Sequence, residues 1–146
     1  MAARTPALLL ALALAACNGP LPFLSGGKLS GETAAVPSDW SSVPESGTGQ
    51  LETRPSDPYS INLVYTVMNG KMYVSAGGNE ANWVKYMEAD PAVRLRIDDK
   101  LYDLRAERVT DRAEIEAFAK AWTSQSTFRR DPAKLDPVYI YRLATR

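Results

Sequence analysis

The chain has no histidine and only one cysteine among its 146 residues. Without histidine, Ser-His-Asp and Cys-His nucleophile systems, a histidine general base and histidine-containing zinc sites are all excluded. A lone cysteine has no partner for an internal disulfide, so stability must come from an ordinary core. An excess of charge is missing too. The 17 Lys+Arg balance 17 Asp+Glu, which leaves neither the basic surplus expected of a nucleic-acid binder nor an acidic tail. The longest apolar run, Ala7 to Cys17, falls well short of the roughly 20 residues a spanning helix needs. What is left is carboxylate, lysine, tyrosine or serine chemistry, or chemistry brought by a bound cofactor. A Ser-x-x-Lys spacing at Ser25 and Lys28 lies in a Gly-rich tract with no rigid element to hold it, so it is not read as catalytic.

The N-terminus carries one basic residue, Arg4, then the apolar block Ala7 to Leu14, then small residues. This is the pattern of a secretory signal peptide over residues 1–16. Leu14-Ala15-Ala16-Cys17 resembles the bacterial lipobox, which implies cleavage before Cys17 and acylation of its thiol with palmitate-type chains. Each buried methylene contributes about 0.8 kcal/mol, so several chains hold a domain at a membrane with no crossing helix. The expected partner is therefore membrane lipid, and the expected location is the bacterial cell envelope, lipid-anchored and facing the periplasm. Asn18 in place of an aspartate favours the outer over the inner membrane. Residues 17–49 read as a lipidated tether, because half of the stretch from Asn18 to Gly49 is Gly, Pro or Ser. Within it, Trp40 reads as a side chain docked on the folded domain, with a partner-binding anchor as the alternative.

Regular punctuation begins at Gln50, and residues 50–146 read as one domain. Ile61, Leu63, Tyr65 and Val67 alternate with more polar residues up to Asn69-Gly70, a strong hairpin signal. A type I′ turn there pairs Met68 with Lys71, Val67 with Met72 and Tyr65 with Val74. The opposite face gathers Asn62, Val64, Thr66, Tyr73 and Ser75. A second hairpin turns at Asp98-Asp99 and sets Leu95 against Tyr102, Val93 against Leu104 and Arg94 against Asp103; a turn at Asp99-Lys100 would set Arg96 against Asp103 instead. Between the hairpins, Asn79 is placed to cap a short helix over Glu80 to Ala89, with Trp83 and Met87 on its buried side. Asp111 with Glu114 makes a capping box for a second helix carrying Ile115, Phe118, Ala119 and Trp122. A last strand runs from Val138 to Leu143. The expected fold is α+β, mainly β: a small six-stranded antiparallel split β-barrel with two helices.

The segments Asn69 to Val74, Asn82 to Met87 ending in Asp90-Pro91, Val93 to Ile97 and Tyr102 to Ala106 together resemble the split β-barrel flavin-binding superfamily, pyridoxamine phosphate oxidase-like, and in it the deazaflavin-dependent nitroreductase branch. The resemblance covers roughly Gly49 to Leu143. It implies an oxidoreductase whose cofactor, FMN or a deazaflavin, carries the hydride, and it implies a homodimer. By that resemblance, Arg54, Ser56 and Ser60 face the cofactor phosphate, and Asn62, Thr66 and Tyr73 face its ring. Tyr59 and Tyr73 become ring contacts or proton donors, and Gly77, Gly78 and Asn79 form a phosphate-binding helix start. The chain departs from the family's Gly-Arg-Lys-Ser-Gly type of loop, having Thr53-Arg54-Pro55-Ser56-Asp57-Pro58 in its place, with Asp57 set against an anion. The other readings are a barrel without cofactor that serves as an envelope binding or interaction module, and a headgroup-binding stripe of Arg94, Arg96, Arg105 and Arg108.

Overall fold

Two-residue turns set the register from which the barrel grows. In the computed structural model, which describes residues 18–78 and 80–146, Asn69 and Gly70 adopt φ of 51° and 69°. This is the left-handed pair a type I′ turn requires. They join β3 (Tyr59–Met68) to β4 (Lys71–Ala76), pairing Met68 with Lys71 and Val67 with Met72 as expected, and Thr66 with Tyr73. The second hairpin joins β5 (Ala92–Ile97) to β6 (Lys100–Arg108) through Asp98-Asp99, and its Leu95–Tyr102, Val93–Leu104 and Arg94–Asp103 pairs select the first of the two expected registers. With β2 (Ser46–Thr53) and β7 (Tyr139–Thr145), the strands run in the order β6-β5-β2-β3-β4-β7 and close by β6–β7 pairing, every pair antiparallel. The outcome is the expected six-stranded barrel. A seventh strand, β1 (Glu32–Thr33), adds parallel to β6.

Alternation sorts the side chains. Leu51, Tyr65, Val67, Met72, Val74, Val93, Leu95 and Leu104 fill the interior, none more than 8% exposed. Gly47 makes room for one of them, since a Cβ there would come within 2.5 Å of the Tyr65 hydroxyl. The first helix (Asn82–Ala89) lies between β4 and β5 and sends Val84 and Met87 into this core, with Trp83 half-buried against it. Its cap is Ala81, with no side-chain hydrogen bond, so the helix starts later than the Asn79 cap implied. Asn79 itself lies outside the described residues, as do Cys17 and residues 1–16.

The second helix (Arg112–Ser124) begins as expected, with the Asp111 carboxylate accepting from the Glu114 N–H. Its Ile115 and Phe118 pack on Tyr73, Val109 and Ile140 in a second cluster outside the barrel wall.

The segment expected to be a tether is laid over the barrel. Gly26 and Ser60 exchange backbone hydrogen bonds, Leu29 is 2% exposed, and the Glu32 N–H donates to the Asp99 carbonyl. Trp40 is 3% exposed, donates its N–H to the Gly70 carbonyl and sets its ring edge-to-face on Tyr102 at 4.9 Å. Asp99 and Gly70 belong to the two hairpin turns, so this arm crosses the barrel end where both turns lie. Composition missed the arm because it counts apolar side chains, whereas these residues are held by backbone hydrogen bonds and a few anchors. Among the described residues no helix is long and apolar enough to cross a membrane.

Candidate functional site

The implied cofactor contacts among the described residues fall in three places on the outside of the barrel wall. The loop between β2 and β3 holds Arg54 at φ 55°, where its Nε donates to the Asp57 carbonyl at 2.7 Å and its guanidinium pairs with the Asp57 carboxylate at 2.9 Å. The same guanidinium sits 4.1 Å from the centroid of the Tyr86 ring, and Tyr86 meets Tyr59 edge-to-face at 5.2 Å. The arginine expected to hold a phosphate is therefore neutralised by its neighbour and stacked on an aromatic face. Ser56 is exposed at the loop tip.

Further along β3, the outward side chains meet the arm. Ser60 is fully buried and its hydroxyl donates to the Gly27 carbonyl at 2.7 Å. The Asn62 amide donates to the Leu21 carbonyl at 3.1 Å and accepts from Gln50 at 3.2 Å. The next outward positions pass beneath the second helix. Thr66, 1% exposed, donates to Gln125, and Tyr73, also 1% exposed, donates to the Glu114 carboxylate at 2.6 Å. Burial and that adjoining carboxylate push the Tyr73 phenol well above its ordinary range. Arg142 steadies Glu114 at 2.9 Å and pairs with Glu107 at 3.1 Å. Gly77 and Gly78 stand apart from both groups, with no atom beyond their own chain neighbours within 4 Å of where a Cβ would be. Near them Ser75, Trp122, Arg130 and Pro132 line a depression of about 160 Å³.

Sequence reasoning missed a polar row across three strands. Glu52 pairs in register with Arg94 of β5 on one side and with Ser60 of β3 on the other. Arg94 donates to both Glu52 oxygens, at 2.9 and 2.7 Å, in a two-point contact. The arm completes the group: the Leu29 N–H donates to Glu52 at 2.6 Å and its carbonyl accepts from Arg94 at 3.0 Å. Glu52 is 4% exposed, and its hydrogen bonds hold the Arg94 guanidinium more firmly protonated than usual. One step along, Arg96, Gln50 and Asn62 form a second row joined by hydrogen bonds of 3.2 Å. The signal was present in Glu52 and Gln50 two residues apart and Arg94 and Arg96 likewise, but it needs the β2–β5 register, which no short turn supplies. The supposed cationic stripe is largely committed: Arg94 to Glu52, Arg96 to Gln50 and the Asp98 carbonyl, and Arg108 to the Val138 carbonyl and the Tyr139 ring, with Arg105 exposed beside them.

A closed six-stranded antiparallel barrel, with one helix between β4 and β5 and another between β6 and β7, is a split-barrel architecture, and comparison with solved structures agrees. A candidate pyridoxamine 5′-phosphate oxidase from Listeria innocua superposes with a TM-score of 0.51 at 14% identity, over 66% of this chain and 82% of that one. An FAD-binding protein from Mesorhizobium loti gives 0.49 at 19% identity, over 68% and 80%. An F420-H2-dependent reductase gives 0.49 at 16%, over 66% and 92%. At such identity the first of these establishes the fold alone. No family model and no curated protein matches the chain.

Proposed function

We propose that this chain is a lipid-anchored protein of the bacterial cell envelope whose split barrel serves as a binding or interaction module, with its ring-cofactor face taken over by its own chain. The observation that carries this reading is the fate of the polar groups a flavin or deazaflavin would need. Ser60, Thr66 and Tyr73 are at most 1% exposed, and each donates to a group of the arm or of the second helix. A ligand reaching them must first break those contacts and leave buried polar atoms unpaired, at about 1–3 kcal/mol each. Arg54, already paired with Asp57, offers a phosphate little net charge. The depression near Gly77 is about 160 Å³, below the roughly 300–1,000 Å³ typical of small-molecule sites. These residues do not fit a phosphate-bearing ring cofactor, so no hydride chemistry is assigned to them.

The anchor rests on the lipobox-like Leu14 to Cys17 and the signal-peptide pattern before it. With it go a periplasm-facing position and, from Asn18, the outer membrane. A homodimer is the assembly implied by the family resemblance, and sedimentation of the purified chain measures it. The cofactor question is decided by equilibrium dialysis of the purified protein against FMN and against a deazaflavin. The expected result is no retention of either at micromolar concentration, with Arg54→Ala indistinguishable from the parent. A chain that purifies with a chromophore, or takes one up and loses it on Arg54→Ala, returns the protein to the oxidoreductases.

A further inference from the structure

Four large apolar side chains stand exposed among the described residues, and three share one turn: Leu21 at 58%, Phe23 at 105% and Leu24 at 63%. The turn is rigidly built. The Leu24 N–H donates to the Leu21 carbonyl at 3.0 Å, and Phe23 sits at φ 67°, a left-handed conformation that an aromatic residue adopts only at a cost. Its base is closed by the Gly27 N–H donating to the Asn18 carbonyl at 2.7 Å, and Gly26 lies so near Gly19 that a Cβ would fall 2.4 Å from the Gly19 carbonyl carbon. Asn62 of β3 holds the Pro20 and Leu21 carbonyls from below. A soluble surface gains nothing from fixing three apolar side chains outward.

We propose that this turn inserts into the bilayer surface and fixes the orientation of the barrel on the membrane. The inference rests on the anchor reading at Cys17, and the chain itself supplies the reason for choosing lipid as the occupant. Residue 17 is one peptide, about 3.8 Å, before Asn18, and Asn18 is already bound to Gly27. Acyl chains on that cysteine would thus attach one residue before the closed base of the apolar turn. The depression around the turn is lined by Leu21, Phe23, Leu24, Tyr59 and Ile61 with Ser25 and Asn62, none of them an acid or an amine. Tyr59, with Tyr86 and the stacked Arg54 behind it, supplies the amphipathic residues suited to the headgroup level. The barrel is thus held flush with the membrane, its β2–β3 loop side down.

Phe128, the fourth exposed apolar residue at 95%, provides the control. Its neighbour Arg129 reaches Ser46 at the start of β2, whereas the turn rides on Asn62 and Ser60, opposite Gln50 and Glu52. At strand spacing Ser46 is about 14–20 Å along β2 from Gln50 and Glu52, which places Phe128 toward the other end of the barrel. Acylation consumes the only native thiol, so Phe23→Cys, Leu21→Cys or Phe128→Cys in the full chain takes a single environment-sensitive fluorophore. The acylated protein is reconstituted on vesicles of phosphatidylethanolamine and phosphatidylglycerol with brominated acyl chains. Emission from positions 23 and 21 shifts to the blue and is quenched several-fold, while position 128 is unaffected. If the chain carries the acyl mass and floats with the vesicles, but the probes at 23 and 21 stay unquenched, the inserted turn is overturned and the anchor stands. If the chain carries no acyl mass, both are overturned.

Discussion

The second helix and the N-terminal arm both cover outward faces of one barrel, the helix with a continuous apolar stripe and the arm with isolated anchors. The helix buries Ile115, Phe118 and Ala119 in a row and meets two buried hydroxyls, Tyr73 matched to its Glu114 and Thr66 to Gln125 at its C-cap. Between Leu29 and Trp40 only Ala34 and Val36 of the arm pack against the core, both partly buried, and the arm relies on backbone hydrogen bonds to Ser60, Asp99 and Gly70. It adds a part-buried ion pair, Glu52–Arg94, whose last hydrogen-bonding groups are the Leu29 N–H and carbonyl. A helix satisfies its own backbone and can dock by side chains alone, whereas an irregular segment must find partners for every buried N–H and C=O on the surface it covers.

The sharpest way to break this contrast is to remove one anchor from each covering. Phe118→Ala and Trp40→Ala should each cost about 3–5 kcal/mol, as for large aromatic side chains cut from well-packed sites, read as the shift of the urea unfolding midpoint. The consequences diverge. Losing Phe118 weakens one of several contacts in a stripe, so the helix stays protected in native-state proteolysis. Losing Trp40 frees the arm, and protease should cut between residues 30 and 45 before the barrel opens. Equal protection in both variants would mean that the arm is not held by single anchors.

Glu52→Gln comes next. It keeps the shape but leaves the partly buried Arg94 against a neutral amide, at about 1–3 kcal/mol. Adding Arg94→Met to Glu52→Gln should recover part of the loss, because the uncompensated charge is then gone. The same cycle at the exposed Arg112–Glu116 pair, with side chains 78% and 58% accessible, should give a coupling below about 0.5 kcal/mol.

The sequence made one side of this comparison readable. Asn69-Gly70, the Asp98-Asp99 turn, the period-two strands and the Asp111 cap are local signals, and each lands within a residue or two of its place. From them the six strands and the fold class follow. The arm and the polar rows depend on the β2–β5 register, where Glu52 and Arg94 lie 42 positions apart and no turn sets the pairing. Asn62 lies on the outward face of its strand, as the alternation implied. What lay on top of it was not visible, since a Gly/Pro/Ser-rich arm carries no periodicity to announce where it docks.

Gly70 joins the two regions and gives a smaller test. Its φ of 69° belongs to the hairpin, while a Cβ there would stand 2.7 Å from an Asp39 carboxylate oxygen of the arm, next to Trp40. Gly70→Ala should cost about 1–2 kcal/mol from the left-handed backbone. It should also loosen the Trp40 end of the arm, read as faster amide exchange at Trp40. Asn69→Gly, which changes the hairpin alone, should leave that exchange unchanged.

The smallest effect separates the coverings by pH. The arm from Asn18 to Glu45 contains no tyrosine, whereas Tyr73 lies under the second helix, with its phenol raised by burial, by its hydrogen bond to Glu114 and by that carboxylate's charge, against an opposing pull from Arg142. A raised folded-state pKa means the folded chain holds this proton more tightly than the unfolded one. The stabilisation is therefore whole below the unfolded value near pH 10 and is lost as pH climbs from there toward the folded value. Tyr73→Phe should cost about 1 kcal/mol at neutral pH, because Glu114 loses a donor but keeps Arg142. Its stability should then fall less steeply than the parent's above about pH 10, leaving the share contributed by Tyr65 and Tyr141, whose phenols are raised chiefly by burial. Parallel curves for parent and variant across that range would show that the helix side carries no such proton linkage, and the distinction between the two coverings would then rest on packing alone.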